Sequence, residues 1–140
     1  MSDGNDFLKS MAISTSGLRA QAGRMRVISE NIANADSTAK TPGGDPYRRK
    51  VPTFSSELDR SLEARVVSLG RIKPDNSAFR TRYEPGNPAA DTNGNVKYPN
   101  VNSLVEMTDM REAQRSYEAN LNIISATRRM IQRTLDILKA

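Results

Sequence analysis

Asp109 and Glu112 stand one helical turn apart in Met107-Thr-Asp-Met-Arg-Glu112, a spacing that puts two carboxylates on one helix face. Such a pair could divide general acid and base roles if its surroundings drove the two proton affinities apart. Helix surfaces carry pairs of this kind routinely. The chain holds no histidine and no cysteine, which removes Ser-His-Asp and Cys-His constellations, thiolate metal sites and disulfides. No phosphate-cradling glycine loop occurs, since Gly43-Gly44 stands alone. Asp91-Thr-Asn-Gly-Asn95 has the start of a calcium loop but lacks the further acidic ligands and the closing Glu, and an Asn-Gly turn explains it. No catalytic residue, cofactor or metal ligand is therefore expected.

The elements that would position these residues are two long helices, one at each end. Met11, Leu18, Met25 and Ile32 recur every seven residues, as do Met110, Tyr117, Ile124, Ile131 and Leu138. A strict seven-residue apolar stripe winds one helix against another, and it fits a bundle face equally well. Phe7 and Ile28 join the first stripe; Met107, Leu121 and Leu135 join the second, which Gln114 and Arg128 interrupt. The first helix is expected from Asp6, as N-cap, to about Ala35. Gly17 and Gly23 inside it each cost about 1 kcal/mol relative to Ala. The second is expected from Asn102 or Ser103 almost to Ala140, with Ser103 and Glu106 in capping-box spacing.

All seven prolines lie between Pro42 and Pro99, outside both stripes. The expected organisation is an N-terminal helical segment (1–36), a loop and small β-rich middle (37–102) and a C-terminal helical segment (103–140). In the middle, Arg65–Lys73 and Ala78–Tyr83 look strand-like, and Glu57–Leu69 fits either helical turns or an extended segment. Asn93-Gly94 marks a turn, and Tyr83–Pro99 reads as a long ordered loop. Arg48-Arg49-Lys50 reads on its own as a solvated basic loop, and the aromatics of the middle as a small core. The fold class is thus mainly α with a β/loop-rich middle, the end helices packing as an antiparallel coiled-coil pair around an inserted segment.

Composition narrows the function classes. Only 36% of the 140 residues are apolar and 5% aromatic, lean for a self-sufficient core and suited to order gained on assembly. The net charge of +5 sits mostly in the middle, where ten basic residues face seven acidic ones, so no helix offers the basic face of a nucleic-acid reader. No apolar run is long enough to span a membrane, and the polar start Met-Ser-Asp-Gly-Asn-Asp is not a cleavable secretory signal. A structural subunit, a cytoplasmic helical adaptor or chaperone binding partner helices, and a nucleic-acid binder remain as rival readings.

Glu30-Asn-Ile-Ala-Asn-Ala-Asp-Ser-Thr38 resembles the signature of bacterial flagellar axial proteins, with Ala33, Asn34, Asp36, Ser37 and Thr38 carrying it. Gly43-Gly-Asp-Pro-Tyr-Arg-Arg-Lys50, Tyr83-Glu-Pro-Gly-Asn-Pro88, Gly94–Val101 and Glu106–Asn120 narrow the resemblance to proximal-rod members of that rod and hook family. It covers nearly the whole chain. It implies a non-enzymatic subunit of the basal-body rod that crosses the periplasm. It implies a tube of terminal helices around an export channel, transmitting torque by side-by-side packing. The implied partners are other rod proteins, copies of the chain and the flagellar type III export apparatus, with no nucleic acid and no direct membrane insertion. Phe7-Leu-Lys-Ser-Met11 resembles the short element by which such substrates dock at the export gate. Tyr47, Arg48, Arg49, Lys50, Tyr83 and Tyr98 would touch neighbouring subunits.

Overall fold

The computed structural model describes residues 2–139; Met1 and Ala140, at the ends of the expected helical segments, lie outside the described residues. The elements are α1 (Ser2–Ala33), β1 (Lys50–Val51), β2 (Phe54–Asp59), β3 (Ala64–Leu69), β4 (Lys73–Pro74), β5 (Arg80–Tyr83), β6 (Asn95–Tyr98) and α2 (Ser103–Lys139). The molecule is mainly helical, and its middle forms two-stranded antiparallel ribbons: β1 with β4, β2 with β3, and β5 with β6.

Helix α1 starts before Asp6, so Asp6 is not its N-cap. Nothing in the preceding residues breaks a helix, and an acidic side chain in the early turns suits the positive end of the helix dipole. At the other end the Asn34 side-chain amide donates to the Glu30 carbonyl at 2.8 Å, and the Ser37 hydroxyl to the Asn34 carbonyl at 2.9 Å. The Glu30 carbonyl also accepts from Asn34 N at 3.2 Å, so Asn34 closes the end of the helix with both its backbone and its side chain. For α2 the cap is Asn102, whose Oδ1 accepts from Leu104 N at 3.1 Å. The expected Ser103–Glu106 capping box does not form, because the Glu106 carboxylate turns to Asn31 and Arg49 instead.

Two compact units are built from these elements. One comprises Met1–Met25, Thr53–Arg71 and Glu112–Ala140. Within it α1 and α2 pack antiparallel: Phe7 and Leu8 share a groove with Ile131 and Leu135, Gly17 meets Asn120, and Arg24 approaches Glu112 at 3.5 Å. Its buried residues are small: Ser14, Gly17, Ala20, Gly23, Ala64, Ala113 and Thr127. A Cβ on Gly17 would stand 2.9 Å from the Asn120 side chain, and one on Gly23 2.7 Å from Leu69 Cδ2. The helix-weakening glycines thus admit a helix and a strand at close range. The stretch left open between helix and strand is extended, with β2 and β3 in register from Phe54↔Leu69 to Asp59↔Ala64.

The other unit comprises Arg26–Pro52 and Ile72–Arg111. Its core is Val96, Val101, Pro99, Ala35 and Ala89 around Val27 and Ile28. The expected aromatic core of the middle does not form. Tyr83 is 72% exposed; Phe79 and Tyr98 lie under the guanidinium groups of Arg48 (4.2 Å) and Arg82 (5.2 Å), where a ring can hold a cation and stay partly wet. The segment read as a loop contains β6. The Asn93-Gly94 turn, with Gly94 at φ +80°, reverses the chain and sets Asn95–Tyr98 against β5.

Candidate functional site: the helix faces and the polar clasp

The apolar stripes lie partly in the intramolecular contact and partly beside it: Phe7, Ile131 and Leu135 line the groove between α1 and α2, while other members stay half-buried or exposed. On α1, Ile28 is buried, whereas Phe7, Met11, Leu18, Met25 and Ile32 are half-buried. The deeply buried positions of α1 include Ser14 with Ile28, Gly17 with Asn31 and Ala20 with Val27, each pair at a multiple of seven residues. On α2 the inward row is Glu106, Ala113, Asn120 and Thr127, also seven apart. Sequence reading missed this row because its residues are polar or small and carry no apolar periodicity. Its seven-residue spacing is the signal that could have found it.

Much of the remaining apolar surface of α2 stays at least partly exposed. Met110, Tyr117, Ile124 and Ile131 are half-buried, while Met107, Leu121 and Leu135 are about half exposed and Leu138 is 77% exposed. Ile123, Met130 and Ile137 add a second exposed row, again at seven-residue spacing, and Leu104 and Val105 extend the apolar surface toward the start of the helix. Large exposed apolar surfaces are uncommon on soluble monomers. In the motif that ends α1, Asn34, Ser37 and Thr38 are half-buried and Ala33 and Asp36 exposed; Asp36 lies 3.9 Å from Arg80.

The basic run is not a solvated loop. Arg49 donates Nε to Glu106 Oε1 at 2.5 Å and approaches Asp75 at 3.5 Å and Asp109 at 3.8 Å. Burial disfavours the Arg49 charge, but Glu106 and then Asp75 outweigh it and its pKa rises. Glu106 is 1% exposed and its second oxygen accepts from Asn31 Nδ2 at 3.0 Å. Asn31 also donates to the Lys50 carbonyl at 2.8 Å and accepts from Lys50 N at 2.9 Å and Tyr47 OH at 2.8 Å. Burial, with Glu30 and Glu106 nearby, pushes the Tyr47 phenol up to about 12. Arg48 donates to the carbonyls of Asp75 and Ser77, and Lys50 pairs with Glu30. Tyr47, Arg49 and Lys50 therefore fasten the loop after α1 to the helical residues of their own unit, and Arg48 fastens it to the carbonyls of Asp75 and Ser77. Buried polar networks with every partner supplied set register. Asn31 is a residue of this clasp that sequence reading did not single out, and sequence spacing gives Glu106 only the role of a helix-capping partner of Ser103.

Asp109 faces Arg49 and Glu112 faces Arg24, so the pair considered for acid–base work is divided between two ion pairs. Asp91 Oδ1 accepts from Asn93 N at 2.8 Å and Asn95 N at 2.9 Å, closing the turn that resembles a calcium loop. Among the described residues no cluster of acidic side chains could hold a metal, and no helix is long and apolar enough to cross a membrane.

Comparison with known proteins agrees with this geometry. Residues 11–39 match the family model of flagella basal body rod proteins, and residues 92–137 match that of the flagellar basal body rod FlgEFG protein C-terminal region. The chain is 57% identical over 128 residues to the flagellar basal-body rod protein FlgC of Agrobacterium fabrum, covering 91% of this chain and 92% of that one. It is 39% identical to the FlgC of Bacillus subtilis (93% and 97% covered) and 38% identical to that of Salmonella typhimurium (89% and 92%). With paired terminal helices, an outward apolar face and relatives matched nearly end to end, the chain belongs to the FlgC family of flagellar basal-body rod proteins.

Proposed function

We propose that this structural rod subunit is built into the proximal rod through the outward faces of its helices. The observation that carries the reading is the apolar surface of α2, with Met107, Leu121, Leu135 and Leu138 in one set and Ile123, Met130 and Ile137 in another. Two such rows let one helix meet more than one neighbour, and heterologous contacts of that kind propagate into a tube. The half-buried stripes, from Phe7 to Ile32 and from Met110 to Ile131, would complete those contacts. The tube encloses the export channel and transmits torque by packing alone, with no catalytic step. Subunits reach the periplasm through the flagellar type III apparatus, and other rod proteins and further copies are the partners. Tyr83, exposed on β5, is the residue of the expected inter-subunit set best placed to touch a neighbour.

Leu138→Asp tests the reading. At 77% exposure the change costs the free subunit within about 0.5 kcal/mol. Buried unpaired against a neighbour, the same charge costs several kcal/mol. Cells carrying it should make normal amounts of the protein, keep an intact export base and lack rod and hook. Normal motility would sink the packing model.

A further inference from the structure

Two strand edges are open. In the β2–β3 ribbon, Gly70 N donates to the Thr53 carbonyl at 2.7 Å, so alternation turns the backbone groups of Phe54, Ser56 and Leu58 away from β3. In the β5–β6 ribbon, Glu84 N donates to the Gly94 carbonyl at 2.9 Å, so Thr81 and Tyr83 turn theirs away from β6. None of these outward groups has a hydrogen-bond partner among the described residues. The opposite edge of β3 is different: Val67 N donates to Ser16 Oγ on α1 at 3.2 Å. Strand β2 has no Pro, no Lys and no bulge in its register, and the only charges on it are the acidic Glu57 and Asp59, which would repel a second β2 but suit a basic strand.

We propose that β2 of one copy pairs with β5 of the next copy, antiparallel, with Leu58 opposite Thr81 and Ser56 opposite Tyr83. Both strands then present their outward hydrogen-bonding groups to each other. The same register sets Glu57 opposite Arg82 and Asp59 opposite Arg80, an opposite-charge pair at each position. Sliding by two residues in either direction leaves only one acid facing an Arg. Arg82 is the freer cation, since Arg80 already donates to the carbonyls of Pro99 and Ala35. Pairing β2 with a second β2 about Ser56 would set Glu57 opposite Ser55 and use no cation. It would also close on itself, whereas β2 with β5 joins unlike surfaces and propagates. The inference rests on the rod reading above and adds a backbone link between copies to the helix packing.

Charge reversal tests it in cells whose own gene is deleted. Glu57→Arg or Arg82→Glu alone should lower the yield of rods about fivefold or more, and the double variant should return it to within about twofold of the unaltered chain. A second arm uses the absence of cysteine: one copy carrying Glu57→Cys and another carrying Arg82→Cys, made together, should give a disulfide dimer in purified basal bodies. Single reversals with normal rods, a double variant no better than the singles, a dimer from Ser56→Cys alone, or a cross-link to a different protein would each overturn the proposal. The deletion strain separates the two failures. If it lacks rods while the reversals are normal, only the strand pairing is wrong; if it keeps its rods, the rod reading is wrong.

Discussion

Glu106→Ala should be the most damaging single truncation in its unit. Glu106 is 1% exposed, bonds Arg49 Nε at 2.5 Å and accepts from Asn31 at 3.0 Å. Losing a hydrogen bond to a charged partner costs about 1.5–3 kcal/mol, and stranding a buried charge raises this toward about 5. The Arg49 side chain is 20% exposed and keeps Asp75 at 3.5 Å and Asp109 at 3.8 Å. Those neighbours hold the expected cost to about 3 kcal/mol, a drop in Tm of roughly 6–20 °C for a chain of this size. Glu106→Gln keeps the shape and one acceptor, so about half that loss is expected. The double variant Glu106→Leu with Arg49→Met removes both charges and should be more stable than Glu106→Ala alone. Urea unfolding of the purified protein followed by far-ultraviolet circular dichroism reads all three, provided the slope m is unchanged. A Glu106→Ala protein within about 0.5 kcal/mol of the parent, or a double variant worse than the single, would refute the stranded-charge account.

Further predictions concern close packing and pH. Gly17→Val pushes a branched side chain against Asn120, already 2.9 Å from the site of a Cβ, and should cost about 1–3 kcal/mol in the same urea assay. Gly94→Ala sets a Cβ 2.8 Å from the Tyr83 ring at φ +80°, and backbone strain alone adds about 1–2 kcal/mol, so the β5–β6 ribbon should exchange its amides faster. Acid should lower the stability of the protein in a defined window. Ser77 and then Arg49 hold Asp75 below its ordinary 3.8, Lys97 does so for Asp45, and Asn87 and Tyr98 hold Glu84 below 4.5. Their stabilisation is complete above about pH 4.5 and is lost as pH falls through the lowered values. Tyr47 acts in the opposite sense: its contribution is complete below pH 10 and is lost as pH rises through about 12. A thermal-stability profile over pH 2–12 with no acid limb would contradict the carboxylate assignments.

The seven-residue stripes made both helices legible, because apolar side chains at that spacing need an elongated partner whether it lies in the chain or outside it. The contact inside the chain was hidden for the same reason. It runs along Ser14, Gly17, Asn31, Glu106, Ala113 and Asn120, residues whose small size or polarity carries no apolar signal. Glu106 shows how a local rule loses to tertiary chemistry. Its capping-box spacing is real, but Arg49 and Asn31 offer a buried carboxylate stronger partners than a solvent-facing helix end. Asn102 was one of two candidates for the cap, and its Oδ1 takes that role by accepting from Leu104 N. Strand β6 was obscured by the prolines and glycines around it, which mark the turns that bring Asn95–Tyr98 to β5. The outward character of Leu121, Leu135 and Leu138 could not be read from periodicity, because a stripe has the same spacing whether it faces a partner helix or water.

The central claim is that the exposed rows of α2 become buried in the rod, and labelling measures this directly. Because the native chain has no cysteine, Leu121→Cys, Ile123→Cys and Leu138→Cys each supply a single thiol for a maleimide reagent. In the free subunit all three thiols should react readily, since the native side chains are 46%, 46% and 77% exposed. In purified basal bodies the account predicts that labelling falls about tenfold or more at each position, as burial in a packed interface excludes the reagent. Equal labelling of free subunit and basal body at Leu121→Cys and Leu138→Cys would contradict it.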